Sequence, residues 1–205
     1  MDLDEDLVIL DIATDRYLCL PGAASVIQVG PEGAVVAPSP EAAADLVAAG
    51  LAQRGPAARR GPPPPAMPDQ DLRYLQPPPL SVRARLRLLL CLGDVLLLYR
   101  GRSFAQVLAA AARPPRSVRA REDVPDLGAA ARQAQQALIW LPISRKCLVR
   151  SFLVLRFLQR SGHQVRWVFG VRTWPFAAHC WLQAGATVLD DLPERLAAYR
   201  PICAV

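Results

Sequence analysis

The chain has 205 residues, 52 % of them hydrophobic, and a formal net charge of +6, enough for one substantial core or for a core domain plus a small module. Its basic residues are scattered arginines with Lys146 the only lysine, a pattern that argues against a nucleic-acid surface. Five cysteines (19, 91, 147, 180 and 203) without a CxxC, beside only two histidines, exclude a recognisable zinc site and predict a reduced, cytoplasmic protein without metal or cofactor.

In chain order, the acidic opening Met1 to Asp6 is unlike a signal peptide. Residues 7–20 predict two strands around a turn at Ala13–Asp15, closed by Pro21-Gly22, with a short apolar helix over 23–29. Ser39 caps a helix predicted over 40–52, with Pro40 at N1 and Glu41 in the first turn. Residues 55–79, with Gly61-Pro62-Pro63-Pro64-Pro65 and Pro77-Pro78-Pro79, read as a stiff, extended connector rather than packed structure. The chain therefore divides into a module over 1–55, a Pro-rich linker over 56–79 and a main domain over 80–205.

Helices are predicted over 81–100, 103–112 and 128–140, with a mobile polar loop over 113–126. The most apolar run, 88–99, holds Asp94 and falls short of the roughly 20 residues that span a bilayer. No membrane partner is expected, and Asp94 reads as a helix-packing carboxylate paired with an arginine.

Residues 144–161 predict a helix apolar nearly all round, with Ser144 as N-cap and Cys147 three residues inside. The first turn favours an anion, and Arg145 and Lys146 beside the thiol favour the thiolate although they oppose the helix dipole. Ser151, Val154 and Leu158 share the Cys147 face. From Val165 the period becomes two, giving a strand over 165–171, a break at Trp174-Pro175 and a second strand over 177–183. Ala184-Gly185 turns into a partner strand over 186–189 that ends in Asp190-Asp191, and 199–205 form a last edge strand. A two-residue loop at 184–185 would set His179 opposite Asp190; a three-residue loop with Gly185 left-handed would set it opposite Asp191. Either acid would orient the imidazole. Cys180 points away from His179 along the strand and reads as core, as do Cys19, Cys91 and Cys203.

Thiol at a helix start, imidazole on a strand and acid at a strand end make the order that a thiol hydrolase needs. From Arg145-Lys146-Cys147-Leu148-Val149-Arg150-Ser151 through Pro175-Phe176-Ala177-Ala178-His179-Cys180-Trp181 to Asp190-Asp191, the chain resembles the B proteins of lasso-peptide biosynthesis. These are transglutaminase-like cysteine peptidases that remove the leader from a ribosomally made precursor. The resemblance covers roughly residues 80–205. It implies an α+β fold, a helical plus antiparallel-sheet core, and a Cys147–His179–Asp191 triad, favouring Asp191 and hence the three-residue loop.

More weakly, residues 1–55 resemble the winged-helix-like precursor-recognition element fused to some B proteins. That implies a docking strand with Tyr17, Leu18 and Cys19, Leu46 and Val47 nearby, and an extended leader added along the strand edge. The partners implied are the precursor peptide and a separate ATP-dependent cyclase resembling asparagine synthetase. Two other outcomes fit the same residues: an amide- or acyl-transfer enzyme of the same fold, and a non-catalytic scaffold presenting precursor to the cyclase.

Overall fold

A computed structural model describes residues 2–3, 5–30, 33–56, 63–113, 115, 126–141 and 146–205. At the N-terminus, Asp11 Oδ1 accepts the backbone N–H of Ala13 and Thr14, and Asp15 adopts φ +55°. This aspartate-closed turn joins β2 (Asp6–Asp11) to β3 (Arg16–Leu20). A short β1 (Asp2–Leu3) pairs with the other side of β2, which leaves β3 as a sheet edge.

The apolar stretch after Gly22 does not form the expected helix. A single 3-10 turn (Ala23–Ser25) gives way to β4 (Gln28–Val29), paired with β5 (Val35–Val36). Val26, Ile27 and Val29 are β-branched and favour extended backbone. Helix α1 (Pro40–Ala48) has the Ser39 cap, with Ser39 Oγ accepting the Ala42 N–H at 3.2 Å. It stops before residue 52 because Gly50 turns left-handed at φ +70° and Leu51 N–H returns to the Leu46 carbonyl, a Schellman stop.

The expected connector is extended but not free. Pro63 O accepts from Arg166 and Ala66 O from the Gln183 amide. The N–H groups of Asp69 and Gln70 reach Ala186 O, Val188 N–H returns to Gln70 O, and Gln70 bridges Thr187. Met67 packs on Trp181, Val188 and Leu196. Farther on, Arg132 Nε donates to Leu75 O and the Gln133 amide to Pro79 O. Prolines remove N–H donors but keep their carbonyls, so a proline-rich segment can be strapped to a core through its acceptors. Residues 63–79 do this.

The helical half surrounds one buried helix. α2 (Val82–Asp94) runs into a π-helical turn (Val95–Tyr99), then α3 (Phe104–Ala111), α4 (Leu127–Leu138) and α5 (Cys147–Arg160) follow. Phe152, Leu153, Val154, Phe157 and Leu158 of α5 are fully buried, as expected for a helix apolar nearly all round. Small residues on α4, among them Ala131 and Ala134, let it pack closely in the same core. The sheet beneath is antiparallel in the order β8 (Thr187–Val188), β7 (Ala177–Ala184), β6 (Arg166–Arg172), β9 (Arg200–Ala204), with β9 at the edge as expected and α6 (Pro193–Leu196) between β8 and β9 in the chain. The N-terminal hairpin lies on this sheet through Val8 against Val171, joined by Tyr17, Cys19 and Ile202. Trp174 Nε1 also donates to Asp6 Oδ2 at 3.0 Å.

Asp94 meets two arginines, Arg156 Nε at 3.0 Å and Arg160 Nη2 at 2.9 Å. Burial pushes its carboxyl up, but the hydrogen bonds from Arg160 and Arg156 outweigh it and hold the group below its ordinary range. Asp94→Ala, which strands Arg156 in the core, is expected to cost about 3–5 kcal/mol in urea denaturation. Because the native carboxyl is held down, its contribution is present at neutral pH and is lost as pH falls through the native value. Wild-type stability should therefore drop in acid more steeply than that of the variant.

Candidate active site

Cys147 opens α5 as its first helical residue, with Lys146 in the extended N-cap position. The helix starts later than the sequence pattern predicts; Ser144, its expected cap, and Arg145 lie outside the described residues. Cys147 is thus closer to the helix start than expected, and the N–H groups of the first turn have no intrahelical acceptor.

The neighbouring strand supplies the rest. β8 pairs with β7 only at Gln183↔Val188 and Ala184↔Thr187, so β7 upstream of residue 183 has no strand on that side. Its outward groups meet side chains. Leu182 N–H donates to Asp190 Oδ1 at 2.7 Å, and Ser151 Oγ lies 2.6 Å from Asp190 Oδ2 and 3.5 Å from the Cys180 carbonyl. The single Ser151 proton goes to the closer, charged acceptor. The Cys180 backbone N–H donates to the Cys147 sulfur.

His179 Nε2 lies 2.6 Å from Asp191 Oδ2, and the Asp191 Oδ1 atom accepts the Leu192 N–H at 2.9 Å. The imidazole sits between Trp181, at 6.3 Å between ring centres, and Tyr199, at 5.4 Å. Neither loop weighed from sequence is the one observed. The turn is Gly185-Ala186, with Gly185 at φ +58°, and the ladder ends before it reaches His179. Asp191 therefore approaches from a segment that has left the sheet, held by Asp190 and by the Gln135 amide donating to the Leu189 carbonyl. Gly170 faces His179 across the β6–β7 pair, and a Cβ there would come within 2.8 Å of the Trp181 ring. Only glycine leaves that ring in place.

The Cys147 thiol is pulled down to about 4, first by the hydrogen bond from the Cys180 thiol and then by the His179 imidazole, against burial. His179 is pushed up to about 9, first by Asp191 and then by Cys147. Burial would raise Asp191, but its hydrogen bonds to His179 and the Leu192 N–H hold it low. A thiolate–imidazolium pair is therefore the resting state near neutral pH. Cys180 is buried, as expected, yet it faces the Cys147 sulfur rather than serving the core alone. Its own thiol is pushed well up by the Cys147 hydrogen bond and by burial. Among the described residues no group of three or more His, Cys, Asp or Glu could hold a metal ion, and no helix is long and apolar enough to cross a membrane.

The three residues expected along the docking strand and the two expected near it separate. Tyr17 packs on Phe176 with ring centres 5.8 Å apart, Cys19 turns toward Val171, and Leu18 is exposed. Leu46 instead lines an apolar cavity of about 680 Å³ with Leu7, Ile9, Ile27, Leu51 and Ile202, which Val47 does not line. Sequence reasoning missed Ser151 as a hydrogen-bonding partner, and the signal was there: a hydroxyl one turn below the cysteine on a face it shares with Val154 and Leu158. Tyr199 carried no comparable signal, and Phe176 stood out only as part of the Pro175-to-Trp181 stretch.

Residues 88–204 match the family described as the transglutaminase-like superfamily. That is more than half of the chain, and the protein belongs to this superfamily. A 48-residue stretch is 38 % identical to the microcin J25-processing protein McjB of Escherichia coli, covering 23 % of this chain and 23 % of that protein. The chain thus matches about a quarter of that relative's length, and the match agrees with the resemblance to lasso-peptide B proteins. No solved structure matches the chain.

Two outcomes follow from the titrations. Iodoacetamide alkylation of Cys147, followed by peptide mass mapping, should persist at pH 5–6, where an ordinary thiol of pKa about 8.5 has lost its thiolate; His179→Ala should move the inflection upward. Burial raises the Asp190 carboxyl from 3.8 to about 6, so its favourable contribution is present below 3.8 and is lost as pH rises through about 6. Asp190→Asn should therefore gain melting temperature over wild type at pH 8 and not at pH 4.

Proposed function

We propose that the protein is the leader peptidase of a lasso-peptide pathway, hydrolysing the leader–core bond of a precursor peptide. The observation that carries this reading is one continuous contact: the Cys147 sulfur meets His179, whose Nε2 lies 2.6 Å from Asp191. The Cys147 thiolate attacks the scissile carbonyl carbon, forming a C–S bond and a tetrahedral oxyanion. First-turn N–H groups of α5, that of Cys147 included, stabilise this oxyanion. The His179 imidazolium, oriented by Asp191, gives its proton to the departing core amine. The neutral imidazole then takes a proton from water as the water hydrolyses the leader thioester. The printed name of the McjB relative, a processing protein for microcin J25, supports the substrate class.

Residues 1–55 would act as the precursor-recognition module of winged-helix-like type. Supporting this, β3 is an edge strand, open to an added extended peptide. The contact of Tyr17 with Phe176, three residues before His179, sets that module beside the catalytic strand. Gripping the leader there would raise the concentration of the junction at Cys147. By the family resemblance, the freed amine is then joined to an acidic side chain by an ATP-dependent cyclase in the cytoplasm.

Incubation of the purified protein with a lasso precursor should release the leader with a gain of one water, read by mass spectrometry. Cys147→Ala should lower the rate by at least about a thousandfold while keeping the wild-type circular dichroism. Unimpaired cleavage by that variant would overturn the scheme, and a product joined to an added amine would reassign it to transfer.

A further inference from the structure

Helix α2 is apolar on both sides. One side, with Ala84 and Cys91, is buried in the core. The other carries Val82, Leu86, Leu89 and Leu90, continued by Leu96 and Leu97 of the π-helical turn that follows, all between 47 % and 80 % exposed. Monomeric proteins rarely leave so continuous an aliphatic stripe in water. We propose that this face docks an amphipathic helix of a partner protein whose own apolar seam is flanked by Asp or Glu.

The spacing argues for a helix as the occupant. Val82, Leu86, Leu89 and Gly93 follow one another along α2 at intervals of four, three and four, the 3.5-residue repeat by which two helices share a seam. Within the stripe, Gly93 has nothing within 4 Å of where a Cβ would sit. Ringed by Leu86, Leu89, Leu90, Leu96 and Leu97, it is a hole shaped for a side-chain knob. A lipid surface would need no such hole.

The charge argues for the chemistry of the occupant. Arg83 and Arg85 lie at one end of the stripe and Arg100 and Arg102 at the other, and the acid between them in the chain, Asp94, is buried against Arg156 and Arg160. A second copy of this chain would bring arginine to arginine whether the helices ran parallel or antiparallel. Acidic flanks would meet arginines in either direction.

The test uses the full chain and two fluorescent designed helices of about 21 residues, three heptads, with identical leucine seams but Glu flanks in one and Lys flanks in the other. Anisotropy titration at low salt should show the Glu-flanked helix binding at least tenfold more tightly than its Lys twin. Gly93→Arg and Leu89→Glu should each weaken that binding at least tenfold, with unchanged circular dichroism and an unchanged Cys147 alkylation rate. Equal binding of the two helices, no binding of either, or binding that survives both substitutions would overturn the proposal. So would flotation with phosphatidylcholine–phosphatidylglycerol vesicles that excludes the Glu-flanked helix, or self-association abolished by Leu89→Glu.

Discussion

A strand that outruns its neighbour leaves backbone donors and acceptors facing nothing, and protein interiors do not leave such groups unpaired. β7 continues upstream of its two-residue partner β8, and side chains from α5 and from the segment after β8 fill the vacant edge. Ser151 and Asp190 take two of the positions, and the Cys147 sulfur takes a third. Pairing a strand edge and positioning the Cys147 thiol beside His179 are here one arrangement. Had β8 been longer, its backbone would have occupied the place where the thiol sits.

The same arrangement ties together three separate pieces of chain. Asp190 bonds both to the helix that begins with Cys147 and to the strand that carries His179, and its chain neighbour is Asp191. Trp181 lies over Gly170, so the aromatic floor beneath the imidazole depends on a missing side chain on the adjacent strand. The Asp94 cluster grips the far half of α5 through Arg156 and Arg160, well away from the thiol.

Much of this was legible because the relevant signals are local. The apolar α5, the alternation of β6 and β7, the capping serine of α1 and the arginine partners of Asp94 follow from side-chain period and from the cost of a lone buried charge. Less was legible where the outcome rests on what a residue meets. Residues 23–29 are apolar enough for a helix, yet after one 3-10 turn the β-branched Val26, Ile27 and Val29 and a place in a two-strand ribbon end it, with Gln28 and Val29 extended. The loop over 185–186 differs from both registers weighed, because Asp190 pulls the chain out of the sheet and no short-range rule contains that bond. Cys180 looked like an inert core residue because alternation gives the face of a side chain and not its distance from another helix. Prolines suggested a free connector; the sequence cannot display which distant donors their carbonyls will find.

The strap formed by residues 63–79 bears on how a bound peptide would be read. A swinging tether would let a recognition module present its cargo at many distances from the nucleophile. With the strap stitched to the sheet and to α4, and with Trp174 and Phe176 fastening the hairpin at its other end, the β3 edge and the Cys147 sulfur are two fixed marks on one caliper, and under the proposed function these would be the grip and the blade. The point of scission would then be counted in residues from where the leader is held. Chemistry at the cut would matter less than arithmetic along the chain.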